Sequence, residues 1–300
     1  MQVLFVFRFY TINIEIANNI NLRIPFLPRN LENAKYHITF VLPNNNYKYA
    51  KNGCYNMNNS QLKSILTETV KNPQIITGIH NYCNRWCERC TQTSRCSAYQ
   101  TNDKLPADNE DFAQSISQLF EATLDMLHEY AEKYNISLDF SEEEFAEYEK
   151  ERERIDDIVQ NSAAIVLVKQ YRNQVRKWLD LRNDDESVVV EIRLQDPMLA
   201  DCLEVIQWYQ TLLEVKLMRA LKSKMEEERL QFESFDSLPT AKLLLVSIDR
   251  NIGAWGYLYQ KFKDSEDEIL EILVCLQRLS KEIEQVFPDA RNFVREGLDE

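Results

Sequence analysis

Residues 197–229, PMLADCLEVIQWYQTLLEVKLMRALKSKMEEER, decide how the rest of this 300-residue sequence is read. At 100° per residue, Leu199, Cys202, Ile206, Tyr209 and Leu213 fall on one side of a helix, and Val205, Trp208, Leu212 and Val215 on the other. Only Glu204, Gln207, Thr211, Glu214 and Met218 are left for the opposite, mostly polar side. An apolar arc this broad predicts a central helix with neighbours on two flanks. Asp196-Pro197 opens it, because proline lacks the amide that the first turn leaves unused.

The same period extends in both directions. Upstream, residues 111–135 place Ala113, Ile116, Phe120, Leu124, Leu127, Ala131 and Tyr134 on one stripe. A second segment opens on the capping box Ser141-Glu-Glu-Glu144 and runs to about Leu181 through Ala164, Val168, Tyr171, Val175 and Trp178, with a charged first half that stays in solvent or bends. Downstream, a helix starting near Pro239 carries Ala241, Leu245, Ile248, Ile252, Trp255 and Tyr259. Another opens at Ser265 and carries Ile269, Ile272, Leu276, Leu279, Ile283 and Val286 as far as Pro288. SVVVEIRL at 187–194 has no strand partner nearby and reads as a connector. The fold expected is all-α: an antiparallel helical bundle of about five long helices, preceded by a short helix at 61–72 and a small cysteine-cluster segment. The domains expected are 1–56, 57–105 and 106–300.

That segment reads Gly78-Ile-His-Asn-Tyr-Cys83-Asn-Arg-Trp-Cys87-Glu-Arg-Cys90-Thr-Gln-Thr-Ser-Arg-Cys96. Four thiols within fourteen residues can reach a common centre, and thiolate softness selects Zn²⁺, iron–sulfur clusters or Cu(I) over hard cations. Cys83, Cys87, Cys90 and Cys96 are therefore the candidate ligands, with His80 able to replace one of them. Arg85, Arg89 and Arg95 lower thiol pKa values and offset the charge of a four-thiolate centre. Tyr82 and Trp86 can shield it from solvent. The cofactor expected is an iron–sulfur cluster or zinc, and the spacing leaves both open. The C-x3-C-x2-C part, Cys83, Cys87 and Cys90, resembles the cluster motif of radical SAM enzymes, which implies a [4Fe–4S] cluster on those three. That family follows its motif with a β/α barrel and a Gly-rich SAM-contacting segment, whereas here helical text follows, with no glycine between Gly78 and Gly253. Cys202 and Cys275 sit on apolar stripes and read as core residues.

Several charges fall on apolar faces: Arg172 beside Tyr171, Lys216 and Arg219 within the broad arc, and Asp249 beside Leu245. Buried charges need partners. These four are a candidate site for a small anionic ligand, weighed against snorkelling stems or a plain ion pair. Lys216 and Arg219 are expected to meet a carboxylate such as Asp249 or Glu204.

Composition narrows the field. The net charge of −13 is uneven: residues 1–56 hold six basic and two acidic residues, leaving 29 basic against 46 acidic thereafter. So acidic a body repels phosphate backbones, which excludes duplex nucleic acid as a partner. No apolar run reaches the ~20 residues of a membrane span, and MQVLFVFRFY lacks a secretory cleavage pattern, so a cytoplasmic location is expected. Residues 1–56 carry eleven Asn. VLFVFRFY and HITFVL there read either as short strands or as part of an extension foreign to the native chain, which would then begin at Met57. A di-iron carboxylate site fails for want of Glu-x-x-His pairs, and three histidines with no G-x-S-x-G argue against a Ser-His-Asp hydrolase. Three functions stay open. The first is a non-enzymatic metal protein in electron transfer, redox sensing or assembly, with an unidentified protein partner. The second is an enzyme taking a small anionic substrate above a structural metal. The third is a metal-free helical interaction module.

Overall fold

The computed structural model describes residues 59–104, 109–139, 141–180, 196–231 and 236–299. The expected strands at 3–10 and 37–42, the extension 1–56 with Cys54, and the connector 187–194 lie outside the described residues. The described part is helical throughout, without a strand. Two compact units divide the chain. One groups Met1–Met57 with Leu105–Ser117, of which only the helical backbone of 109–117 is described; the other is Asn58–Lys104 with Gln118–Glu300.

In chain order the α-helices are α1 (Asn59–Lys71), α2 (Ile79–Tyr82), α3 (Ser97–Asp103), α4 (Asn109–Tyr134), α5 (Glu142–Gln160), α6 (Ala163–Asp180), α7 (Pro197–Leu230), α8 (Ser237–Lys261) and α9 (Glu266–Val286). The core of the second unit is a ring of four: α7 packs on α6 and α8, and α9 closes the ring against both of those. Pairs such as Arg250–Tyr209 and Arg219–Asp236 show α7 and α8 running antiparallel, as the short connection at 231–236 requires. Ile206, Tyr209, Leu213 and Leu217 of α7 are wholly enclosed, as are Tyr171, Trp255 and Leu276 from the other three helices. Cys202 and Cys275 are buried in this core.

Local chemistry sets the helix ends. Ser141 Oγ accepts from the Glu144 amide at 3.1 Å while Glu144 Oε2 accepts from the Ser141 amide at 2.8 Å, the reciprocal box that starts α5. Asp196 Oδ1 accepts from the Leu199 amide at 3.0 Å ahead of Pro197 and starts α7. Gln231, at φ 56°, ends it in the left-handed conformation. The segment expected to run from 141 to about 181 breaks at Asn161-Ser162 into α5 and α6. Asn161 Nδ2 donates back to the Asp157 carbonyl and Ser162 Oγ to that of Val159, so short polar side chains compete with the helix there. On α4 the expected stripe is rotated: Ala122 and Ala131 are buried, but Phe120, Leu124 and Tyr134 are exposed.

Candidate functional site

Every cysteine of the cluster stands where a short element ends or begins. Cys83 follows α2, Cys87 opens a single 3-10 turn that Cys90 closes, and Cys96 lies between a second 3-10 turn (Thr93–Arg95) and α3. None of the four is in a disulfide, and all are partly exposed. The turn between Cys87 and Cys90 is tied by Cys90 N–H to the Cys87 carbonyl at 3.1 Å. The Gln92 amide then donates to Cys90 Sγ at 3.4 Å. Burial pushes the Cys96 thiol up, and the Tyr99 and Ala98 amides oppose that without cancelling it. Among the described residues no three His, Cys, Asp or Glu side chains converge as a metal cage, so the four thiols share a segment without sharing a centre.

What the structure does build is the bed beneath them. The segment lies along α7 from Asn81, near Arg219, to Arg89, near Asp201. Trp86 stacks on Trp208 with centroids 4.9 Å apart and planes 12° from parallel, and meets Tyr209 edge-on at 6.4 Å. Arg89 lies over the Trp86 indole, 4.0 Å from its centroid, and its guanidinium forks to Asp201 at 2.5 Å and Glu204 at 2.6 Å. Asn84 takes both neighbours: its Nδ2 donates to Tyr209 Oη at 2.7 Å and its carbonyl accepts from Trp208 Nε1 at 2.9 Å. Its Oδ1 also accepts from the Trp86 amide at 3.1 Å, an Asx turn around Arg85, whose φ of 58° is left-handed. On the far side the C-terminal residues clamp α2. Tyr82 meets Phe293 at 6.0 Å and its hydroxyl donates to the Glu296 carbonyl at 3.4 Å, while Gly297, at φ 74°, passes close to Ile76.

Under this strap the polar groups gather. His80 and Asn81 are buried against α7 and α8. Arg219 Nη2 donates to Asn81 Oδ1 at 3.0 Å, and its Nε and Nη2 grip Asp236 at 2.7 and 2.6 Å. Lys216 Nζ reaches the Asn81 carbonyl at 3.5 Å, and Thr240 Oγ1 donates to the same oxygen at 3.5 Å. Burial, reinforced by Arg219 and Arg85, pushes the Lys216 ammonium down to about 8. Burial likewise pushes His80 down to about 4, with Arg85, Arg219 and Lys216 adding to it, so the imidazole is neutral, and its Nδ1 has no partner among the described residues.

The four charges expected to form one anion pocket are dispersed. Lys216 and Arg219 do sit together. Arg172 of α6 pairs instead with Glu214, and Asp249 pairs with Arg291, near the surface, at 2.5 Å. The carboxylate that Arg219 meets is Asp236, and Glu204 belongs to Arg89. Trp208, Asn84 and Asp236 went unremarked as site residues from spacing alone. The one signal for them is the width of the apolar arc on α7, whose Trp208 flank carries the strap. No helix among the described residues is long and apolar enough to cross a membrane. Comparison with protein-family models, curated proteins and solved structures returns no match to this chain.

Proposed function

We propose that the chain is a cysteine-ligated metal protein, holding zinc or an iron–sulfur cluster on Cys83, Cys87, Cys90 and Cys96 in a redox, electron-transfer or assembly role. The observation that carries the reading is the run of four thiols outside any disulfide, each at a turn or helix boundary, with a backbone amide donating to Cys90 Sγ. Thiolate sulfur is the donor that selects soft metals over hard cations. The four thiols do not converge among the described residues, so a metal held on them would require residues 83–96 to rearrange about the anchors at Trp86 and Arg89. Metal binding is then coupled to local ordering, as in small metallo-domains. His80, neutral and with Nδ1 unpartnered among the described residues, is in the protonation state a ligand needs.

The test is elemental analysis of the full chain purified without oxygen. About one equivalent of zinc, or iron with charge-transfer absorption in the visible, is the expected result. Cys87→Ser and Cys90→Ser should lose it, and Cys202→Ser should keep it. Less than a tenth of an equivalent of both metals removes the reading.

A further inference from the structure

Two of the four cysteines are brought together by the backbone itself. Cys87-Glu88-Arg89-Cys90 is a single 3-10 turn, closed by the Arg89 amide donating to the Trp86 carbonyl and the Cys90 amide to the Cys87 carbonyl, each at 3.1 Å. A turn bonded from residue i to residue i+3 holds its end Cα atoms within ~7 Å of each other. Disulfides span Cα separations of about 4.4–6.8 Å, so this turn accepts one with little backbone movement. The turn is also fixed from outside. Trp86, just before Cys87, stacks on Trp208, and Arg89, just before Cys90, is gripped by Asp201 and Glu204. Both thiols are partly exposed, and Glu88 and Arg89 between them are exposed, so a small molecule can reach sulfur. The other two cysteines lie outside the turn, Cys83 before the Asn84 anchor on Tyr209 and Cys96 after the second 3-10 turn.

We propose that Cys87 and Cys90 form a dithiol–disulfide exchange site whose substrate is a low-molecular-weight disulfide. One thiolate attacks a sulfur of the substrate RSSR, forming a mixed disulfide and releasing RS⁻. The second thiolate attacks the protein sulfur of that mixed disulfide, forming the Cys87–Cys90 bond and releasing the second RS⁻. The protons given up by the two protein thiols go to the two leaving thiolates. Two protein thiols and one RSSR thus yield one protein disulfide and two RSH, with two electrons passing from the protein to the substrate. A bond that closes so short a loop constrains the unfolded chain little, so it suits reversible exchange better than stapling the fold. The inference does not rest on the metal reading, because it needs two thiols in one turn and not four at one centre.

The full chain, treated with a chelator and reduced without oxygen, is equilibrated with glutathione and its disulfide at a series of ratios. Remaining thiols are alkylated, and the denatured chain is digested with trypsin and weighed with and without reduction. Trypsin leaves the four cysteines on separate peptides, 72–85, 86–89, 90–95 and 96–104, so the pairing is read directly. The expected result is a species joining 86–89 to 90–95 in most chains, while Cys83 and Cys96 are still alkylated, and its loss as the thiol form is raised. Cys87→Ser and Cys90→Ser should each trap the remaining thiol of the turn as a mixed disulfide with glutathione. Predominant pairing of Cys87 or Cys90 with Cys83 or Cys96 in the parent overturns the proposal. So do mixed disulfides at both positions that never join, thiols that stay alkylated in excess glutathione disulfide, or the absence of a mixed disulfide from both variants. Metal content is measured before the chelator is added, so the metal reading stands or falls on that number and not on the pairing.

Discussion

Trp208→Ala should release the cysteine strap while leaving the four-helix ring folded. The substitution removes the face-to-face partner of Trp86, an aromatic contact worth ~0.5–1.5 kcal/mol beyond its area. It also removes the donor to the Asn84 carbonyl, another ~0.5–1.5 kcal/mol. Lost burial of a part-exposed indole adds about 1 kcal/mol, toward the low end of the side-chain range. The strap therefore loses about 3 kcal/mol of docking energy, which multiplies its undocked population by roughly a hundredfold. Trypsin cuts after Arg85, Arg89 and Arg95 only when the backbone there opens, and cleavage then follows the open population. Cleavage in that window should accelerate about a hundredfold, with Trp208→Phe in between. The midpoint of helical unfolding should move far less than a core truncation such as Ile206→Ala would move it. Cleavage at the parent rate would refute the reasoning, because residues 84–89 would then be held by something other than Trp208. Collapse of the whole helical signal would refute it differently, by making the strap part of the core.

Four further outcomes follow from the same geometry. His80 is held down to about 4, against an ordinary value near 6.5. Protons therefore favour the unfolded chain, and stability is fully present above pH 6.5 and is lost as pH falls toward 4. The total is about 3 kcal/mol, and urea midpoints of the metal-free protein at pH 7, 5.5 and 4.5 should show His80→Gln lacking that part of the acid loss; parallel curves would contradict it. Arg219→Met strands the mostly buried Asp236 and should cost ~2 kcal/mol in denaturant unfolding, below the usual figure for buried pairs because Arg219 is part-exposed. Asp249→Asn should cost under ~1 kcal/mol, and the double variant should be additive, since the two ion pairs share no partner. Tyr171→Phe leaves Asn251 Oδ1 without its 2.7 Å donor in a sealed core and should cost ~1–3 kcal/mol in urea unfolding, with less than ~0.5 kcal/mol counting against the bond. Gly297→Ala combines a left-handed φ with a Cβ placed 2.5 Å from Ile76 Cδ1, and should loosen the C-terminal clamp by ~1–2 kcal/mol, read as faster amide exchange over 293–299.

The helices were legible in the sequence because helix formation and helix ends are local events. A 3.6-residue apolar period, Ser141 three residues before Glu144, and Asp196 before Pro197 each act within one turn, so neighbouring residues suffice to place them. The cysteine run was legible for the same reason, as a dense set of one residue type in a non-periodic stretch. Partner choice was not. Spacing puts Arg219 on the apolar arc of α7, but whether it faces Asp249 or Asp236 depends on how α8 is registered against α7, a relation between segments distant in sequence. Glu214 illustrates the point: periodicity assigns it to the polar side, yet it is buried because Arg172 of α6 comes across to meet it. The stripe on α4 fails similarly, since which face is covered is decided by the neighbour and not by the helix. Lys216 is the sharpest case. Its place among apolar residues could be read from the chain, but only the packing of Asn81 against it decided that its ammonium would be buried, with no ion-pair partner among the described residues.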